Sequence, residues 1–208
     1  GAVDFATALT LVTKRGQAMQ AAAEAQPSGM LCVLGVDEAQ AAELCQAAAG
    51  DQALTCANLN CPGQVVISGG VEACQRAAEM AEQFGASGSV PLSVAGAFHS
   101  DYMAPAAENL GQALSDVTFA APTTPVISNV DAQPHADADH IAQKLLAQLV
   151  SPVRWQQSMQ GLLDDGVERF FEIGPGRVLA GLMRRIHRRA DFTSVNSQKA
   201  VEKLTESN

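Results

Sequence analysis

Asn58-Leu59-Asn60-Cys61-Pro62-Gly63-Gln64-Val65-Val66-Ile67-Ser68-Gly69 places a Pro-Gly turn between two runs of strand-forming residues. Proline presets one turn residue and glycine tolerates the next, so 54–60 and 64–69 are expected to be two short strands of a hairpin. Upstream, 30–36 is an apolar strand pattern, and 37–49 is a helix opened by Asp37 and Gln40 at capping-box spacing. Downstream, 71–84 reads as a helix closed by Gly85, and 87–94 as a last strand. Strand, helix, strand, strand, helix, strand is the order of a ferredoxin-like unit.

Outside that unit the pattern changes. Asp4 is expected to cap a helix in which Phe5, Leu9, Val12, Gly16 and Met19 form a core-facing stripe, ending before Pro27-Ser28-Gly29. After a loop at 96–100 the chain reads helix 104–114, strand 125–130, and helices 137–150 and 155–164. A buried strand at 167–173, the turn Gly174-Pro175-Gly176, an amphipathic helix at 178–189, a strand at 192–195 and a helix near 200–204 complete it. This alternation favours a parallel α/β sheet. Its strands are few for a typical sheet, and a segment preceding Gly1 is expected to complete it.

The 208 residues are 47% hydrophobic and 17% charged, which excludes a disordered chain. A net charge of −9 argues against nucleic-acid backbones and anionic lipid as partners. No apolar run reaches membrane-spanning length, and the first residues lack the basic and apolar regions of a signal peptide. Five cysteines without metal-ligand spacing read as free thiols in a reducing, cytoplasmic setting, with no metal expected.

His99 lies in Ala95-Gly96-Ala97-Phe98-His99-Ser100, directly after a strand and before a helix, where catalytic groups are often held. From position alone a solvated or helix-capping histidine is the more ordinary reading. His135, His140 and His187 read as surface residues. The Gly-x-Ser-x-Gly elbow, the P-loop and a full GxGxxG are all absent; Gly85-Ala86-Ser87-Gly88-Ser89 ends in serine where the elbow needs glycine.

Several dispersed segments together resemble the malonyl-CoA:acyl-carrier-protein transacylases of fatty-acid synthesis. They are Lys14-Arg15-Gly16-Gln17-Ala18-Met19, the hairpin from Asn58, the His99 loop, Ser128-Asn129-Val130, Gln148-Leu149-Val150-Ser151-Pro152-Val153-Arg154-Trp155, and Glu172-Ile173-Gly174-Pro175-Gly176. The resemblance implies an α/β fold in which a ferredoxin-like subdomain (28–98) is inserted into an α/β-hydrolase-like core (1–27 and 99–208). It implies His99 as the catalytic base, oriented by the backbone carbonyl of Gln148, and Arg15 as the ligand of the malonyl carboxylate. Phe98 is implied to favour malonyl over branched acyl groups, Asn58 and Asn60 to line the thioester site, and Arg184 and Arg185 to dock the carrier protein.

Each of these residues also has an ordinary reading. Arg15 suits a helix surface, Phe98 suits a core, the two asparagines suit a turn, and the arginines complement a helix C-terminus. The implied substrate is malonyl-CoA, the implied partner an acyl carrier protein, and no cofactor is implied. The family's Gly-His-Ser-Leu-Gly elbow and Gly-Gln-Gly oxyanion motif do not occur in the 208 residues. The chain alone is therefore expected to be inactive, with the serine supplied by a preceding segment or a separate chain. The alternative is a noncatalytic binding or scaffold module derived from an acyltransferase.

Overall fold

The four strands expected in the central unit all form, the last of them shorter than the sequence predicts. In the computed structural model, which describes residues 1–206, β1 (Ser28–Leu34), α2 (Glu38–Ala48), β2 (Leu54–Cys61), β3 (Gln64–Gly70), α3 (Val71–Met80) and β4 (Gly88–Pro91) follow the first helix, α1 (Phe5–Ala25). The sheet is antiparallel in the order β2-β3-β1-β4. Asp37 and Gln40 close the capping box of α2 through bonds of 2.9 and 3.0 Å. Gly63 takes φ +70° at the hairpin turn, and Gly85 takes φ +87° where a 3₁₀ turn over Ala81–Phe84 ends. Alternate residues of β1 bury on opposite faces: Leu31 and Val33 against α2 and α3 with Leu44 and Ile67, and Met30 and Cys32 with Ala57, Val66 and Phe98. β4 is shorter than expected, although the Leu92 N–H still donates to the Met30 carbonyl of β1 at 2.9 Å just beyond Pro91.

The remaining elements are α4 (Ala104–Ser115), α5 (Ala138–Val150), α6 (Trp155–Asp164), β5 (Arg169–Ile173), α7 (Val178–Ile186), β6 (Asp191–Val195) and α8 (Gln198–Glu206). α1, α4 and α5 share a core around Leu11, Met103, Leu110 and Leu149. α6, β5 and α7 share another around Met159, Phe170 and Met183. β5 and β6 pair in parallel.

Three expectations are corrected here. The stripe assigned to α1 is not its buried face: Phe5, Leu9 and Val12 are 83%, 54% and 61% exposed. Of that stripe only Met19 packs in the core, and the helix otherwise packs through Leu11, Ala18 and Ala22; Arg15 lies on that face, four residues after Leu11 and three before Ala18. Residues 125–130 form no strand but a tight turn with one isolated bridge, Ile127 to Pro134. There the Ser128 carbonyl accepts from Ala132, and the carbonyls of Asn129 and Val130 accept from Arg154, so no ladder is needed to satisfy them. β5 is buried on one face only, with Phe170 and Glu172 inward and Phe171 and Ile173 exposed.

Candidate active site

The loop carrying His99 is held by serines from three places. Ser28 Oγ accepts from the Ala97 N–H at 3.0 Å, Ser68 Oγ donates to the Phe98 carbonyl at 2.7 Å, and Ser100 Oγ donates to the Ala97 carbonyl at 2.6 Å. Gly96 presses on α1 so closely that a Cβ there would stand 2.6 Å from the Cβ of Ala23. This clamp holds His99 at φ +59°, a left-handed conformation that a non-glycine residue adopts at a cost of about 1–3 kcal/mol. The strain sits on the residue that the sequence singles out for chemistry.

His99 Nδ1 meets the backbone carbonyl of Gln148 at 2.8 Å. That carbonyl lies in the last turn of α5, where helical acceptors lack an intrahelical partner. A carbonyl only accepts, so Nδ1 carries the proton and the neutral ring keeps its basic lone pair on Nε2. The Gln148 side chain is not idle. Its Nε2 donates to the Ser151 carbonyl at 3.0 Å and fixes the turn after α5. Its approach to His99 Nδ1, 3.5 Å, is a contact without a bond, since that nitrogen's hydrogen already goes to the carbonyl.

Burial holds the His99 imidazole below its ordinary pKa; the positive charge of Arg15 acts in the same direction, while the carbonyls of Gln148 and Ser151 oppose it. The base is thus kept neutral beside a cation. Arg15 itself is half-buried, and among the described residues it has no hydrogen bond or ion pair. Burial lowers its pKa, yet a guanidinium stays charged at any ordinary pH. It borders an apolar cavity of about 150 Å³ lined by Leu11, Val12, Leu110, Leu114 and Phe119. An unpaired guanidinium on a buried helix face is suited to a carboxylate brought by a ligand.

The other expected site residues are placed differently. Phe98 is half-buried and packs against both the α1 core and the second face of the sheet, so it is a packing residue as well as the neighbour of His99. Asn58 stands at an irregularity of β2 and forms a parallel bridge with Val153. Bonds from Val153 N to the Ala57 carbonyl (2.8 Å) and from Leu59 N to the Val153 carbonyl (2.9 Å) pin the segment that follows Gln148 onto the sheet. Neither Asn58 nor Asn60 makes a side-chain hydrogen bond among the described residues.

Arg184 and Arg185 end α7, and they have unequal roles. Arg185 donates to Gln64 Oε1 (3.2 Å) and to the Pro62 carbonyl (3.3 Å), clasping α7 to the hairpin turn. Arg184 has no hydrogen bond or ion pair among the described residues and is exposed. His135 and His140, expected at the surface, are half-buried, each with an Nδ1 lacking a partner, whereas His187 is exposed.

Sequence reasoning missed the three loop-holding serines and Glu172. The latter accepts from the Leu179 and Ala180 N–H groups at 2.9 and 3.2 Å and from Ser194 Oγ at 3.0 Å, capping α7 from the neighbouring strand. Burial works to raise its pKa, but these bonds and the charge of Arg177 together bring it below the ordinary value. The available signal was an acid at an inward parity of an apolar strand. Among the described residues no serine, threonine or cysteine is hydrogen-bonded to His99, no group of three His, Cys, Asp or Glu is arranged for a metal, and no helix is long and apolar enough to cross a membrane.

The acyl transferase domain family matches residues 1–203. A malonyl CoA-acyl carrier protein transacylase of Escherichia coli is 40% identical over 201 residues, covering 97% of this chain and 65% of the relative, so the chain spans about two thirds of that relative's length. The corresponding transacylase of Coxiella burnetii superposes with a TM-score of 0.94 at 37% identity, covering 99% of this chain and 65% of that one. A malonyl-transacylase solved with its type II PKS acyl-carrier protein superposes with a TM-score of 0.92 at 36% identity, covering 100% and 67%. A strained, carbonyl-oriented histidine in the field of a half-buried arginine without a partner among the described residues thus occurs in a chain that is similar along its whole length to transacylases, and the chain belongs to the acyl transferase domain family.

Proposed function

We propose that this chain carries the base and the acid-recognition half of a malonyl-CoA:acyl-carrier-protein transacylase of fatty-acid synthesis, working in the cytoplasm. The observation that carries the reading is the placement of His99, bonded to the Gln148 carbonyl at 2.8 Å, within the field of an Arg15 that has no acidic partner among the described residues. In this scheme a serine from outside the 208 residues attacks the malonyl thioester carbonyl and gives its proton to His99 Nε2. The proton then passes to the departing coenzyme A sulfur, leaving a malonyl ester on the serine. The phosphopantetheine thiol of the carrier protein attacks that ester, His99 takes the thiol proton and returns it to the serine oxygen, and malonyl-carrier leaves. A backbone carbonyl suffices to orient the base because it fixes the tautomer and stabilises the imidazolium. No metal or prosthetic group enters these steps.

Arg15 holds the malonyl carboxylate through charge-assisted bonds, Phe98 closes the space beside the acyl α-carbon, and Asn58 and Asn60 border the thioester. Arg184 presents a free cation to the acidic carrier, with Arg185 held back as a clasp. In architecture, the four-stranded unit is read as a ferredoxin-like subdomain over 28–98, inserted into an α/β-hydrolase-like core formed by 1–27 and 99–208. The lack of a serine elbow in these residues favours one rival, a noncatalytic scaffold. Carrier loading followed by intact-protein mass separates the two. The 208-residue chain alone is expected to load nothing, and the same chain joined to a serine-bearing N-terminal segment of a transacylase is expected to load malonyl-carrier. Removal of one oxyanion donor already costs about 2.7–4 kcal/mol, and removal of the nucleophile costs more. Loading by the chain alone, or none by the joined protein once shown to be folded, contradicts the proposal.

A further inference from the structure

The carbonyl that orients His99 sits where a helix is least rigid. Gln148 lies in the last turn of α5, where carbonyls lack intrahelical donors and the chain frays, so its place depends on what holds the segments on either side. After it, Val153 is pinned to β2, and the next residue, Arg154, ties the chain to the turn at 128–131. The Arg154 N–H donates to the Asn129 carbonyl at 2.9 Å and its Nε to the Val130 carbonyl at 3.1 Å. Its Nη1 donates to Gln157 Oε1 at 3.1 Å and pairs with Glu38 of α2 at 3.6 Å. Before Gln148, one turn back on the same face of α5, Lys144 pairs with Asp131 of that turn at 2.6 Å.

The turn itself is braced from within. Ser128 is buried, its Oγ accepts from the Val130 N–H at 3.2 Å, and its carbonyl accepts from the Ala132 N–H at 2.9 Å. Residues 129–131 therefore form a strut that meets the chain at Lys144 and again at Arg154, bracketing Gln148. We propose that Arg154 is a positioning residue for the base, holding the Gln148 carbonyl at His99 Nδ1 through this strut. The proposal rests on the reading of His99 as the base. Arg154 bonds to neither residue among the described ones, so it acts only through the segment it fastens. A guanidinium suits the task, because its rigid fork serves several acceptors at once where a lysine would offer one mobile ammonium. A misplacement of about 1 Å caused far from the chemistry costs up to about 100-fold in rate, so a lost brace is felt at the base.

The His99 Nδ1–H proton is followed by NMR of the 208-residue chain carrying ¹⁵N-labelled histidine, and is assigned by its absence from His99→Ala. The wild-type chain is expected to show this proton in slow exchange, held by the Gln148 carbonyl, and Arg154→Met to lose the signal with the fold intact. Lys144→Met, which releases the other end of the strut, is expected to lose it too, so one folded variant suffices. In the protein joined to a serine-bearing segment, Arg154→Met should slow the coenzyme A burst by about 10- to 100-fold while the malonyl-CoA concentration giving half the maximal burst rate is unchanged. The NMR arm needs no acyl transfer: a joined wild-type protein without a burst defeats the transacylase reading, and the proton signal still decides the role of Arg154. Folded variants that keep the wild-type Nδ1–H signal overturn the proposal. So does a burst that falls only through a higher half-saturating concentration.

Discussion

His99 Nδ1 and the carbonyl of Gln148, 2.8 Å apart, join a strained loop to the last turn of α5 and leave Nε2 as the basic nitrogen. Because the partner is a main-chain atom, the orientation of the base is insured against change at position 148. What tunes the base is its burial and the charge of Arg15.

The pH dependence follows with a definite sign. His99 titrates below the ordinary imidazole value of 6.5, so its neutral, basic form persists under mildly acidic conditions. The acid limb of kcat/KM for malonyl transfer by the joined protein is expected below pH 6.5. Arg15→Met removes a charge that lowers this pKa, so the imidazole titration followed by NMR should move to higher pH. For stability the direction is the same: between the two values the unfolded chain binds the proton first, so the contribution of His99 falls as the pH drops below 6.5. An imidazole titrating above 6.5 in the wild-type protein contradicts the assignment.

Arg15 should decide between charged and uncharged acyl groups. A hydrogen bond to a charged partner is worth about 1.5–3 kcal/mol, so Arg15→Ala is expected to cut kcat/KM for malonyl-CoA by about 10- to 100-fold. Acetyl-CoA, which has no carboxylate, should be little affected. Competition between the two thioesters measures the ratio directly, and an unchanged ratio removes Arg15 from the site.

Phe98 requires a variant that respects its packing, since it touches two cores. Phe98→Ser opens the most space; Phe98→Leu keeps most of the apolar contact. Both are expected to shift competing malonyl-CoA and methylmalonyl-CoA loading toward the branched group, within the range of about 1–3 kcal/mol that one methyl commands. If the folded Leu variant and the folded Ser variant both keep the wild-type ratio, Phe98 serves packing alone.

The hairpin, the capping box at Asp37 and the Gly85 stop are local features, and they were legible because their causes lie within a few residues. The phase of α1 was not. Phe5, Leu9 and Val12 outweigh the alanines in a hydrophobicity count, whereas the buried face is made of small residues that let α4 approach. A stripe drawn through Leu11, Ala18 and Ala22 would have placed Arg15 on a buried face and marked it as unusual without any family resemblance. The turn at 125–130 was unreadable for another reason: two of its carbonyls, those of Asn129 and Val130, are satisfied by Arg154, a residue more than twenty positions away. The partners of His99 were legible only through the resemblance, because a backbone carbonyl leaves no side-chain signature.

Acyl-enzyme formation by the joined protein, read as the burst of coenzyme A release together with the intact mass of one added malonyl group, addresses the His99–Gln148 relationship most directly. The wild-type protein should show both. His99→Ala should lower the burst rate by roughly 10²- to 10⁴-fold, the range of general-base catalysis, with the fold intact. Gln148→Ala keeps the carbonyl and loses only the bond to Ser151, worth about 0.5–1.5 kcal/mol, so its burst should stay within about tenfold of wild type. Equal losses in the two variants, or a wild-type burst in His99→Ala, would contradict a base held by the main chain.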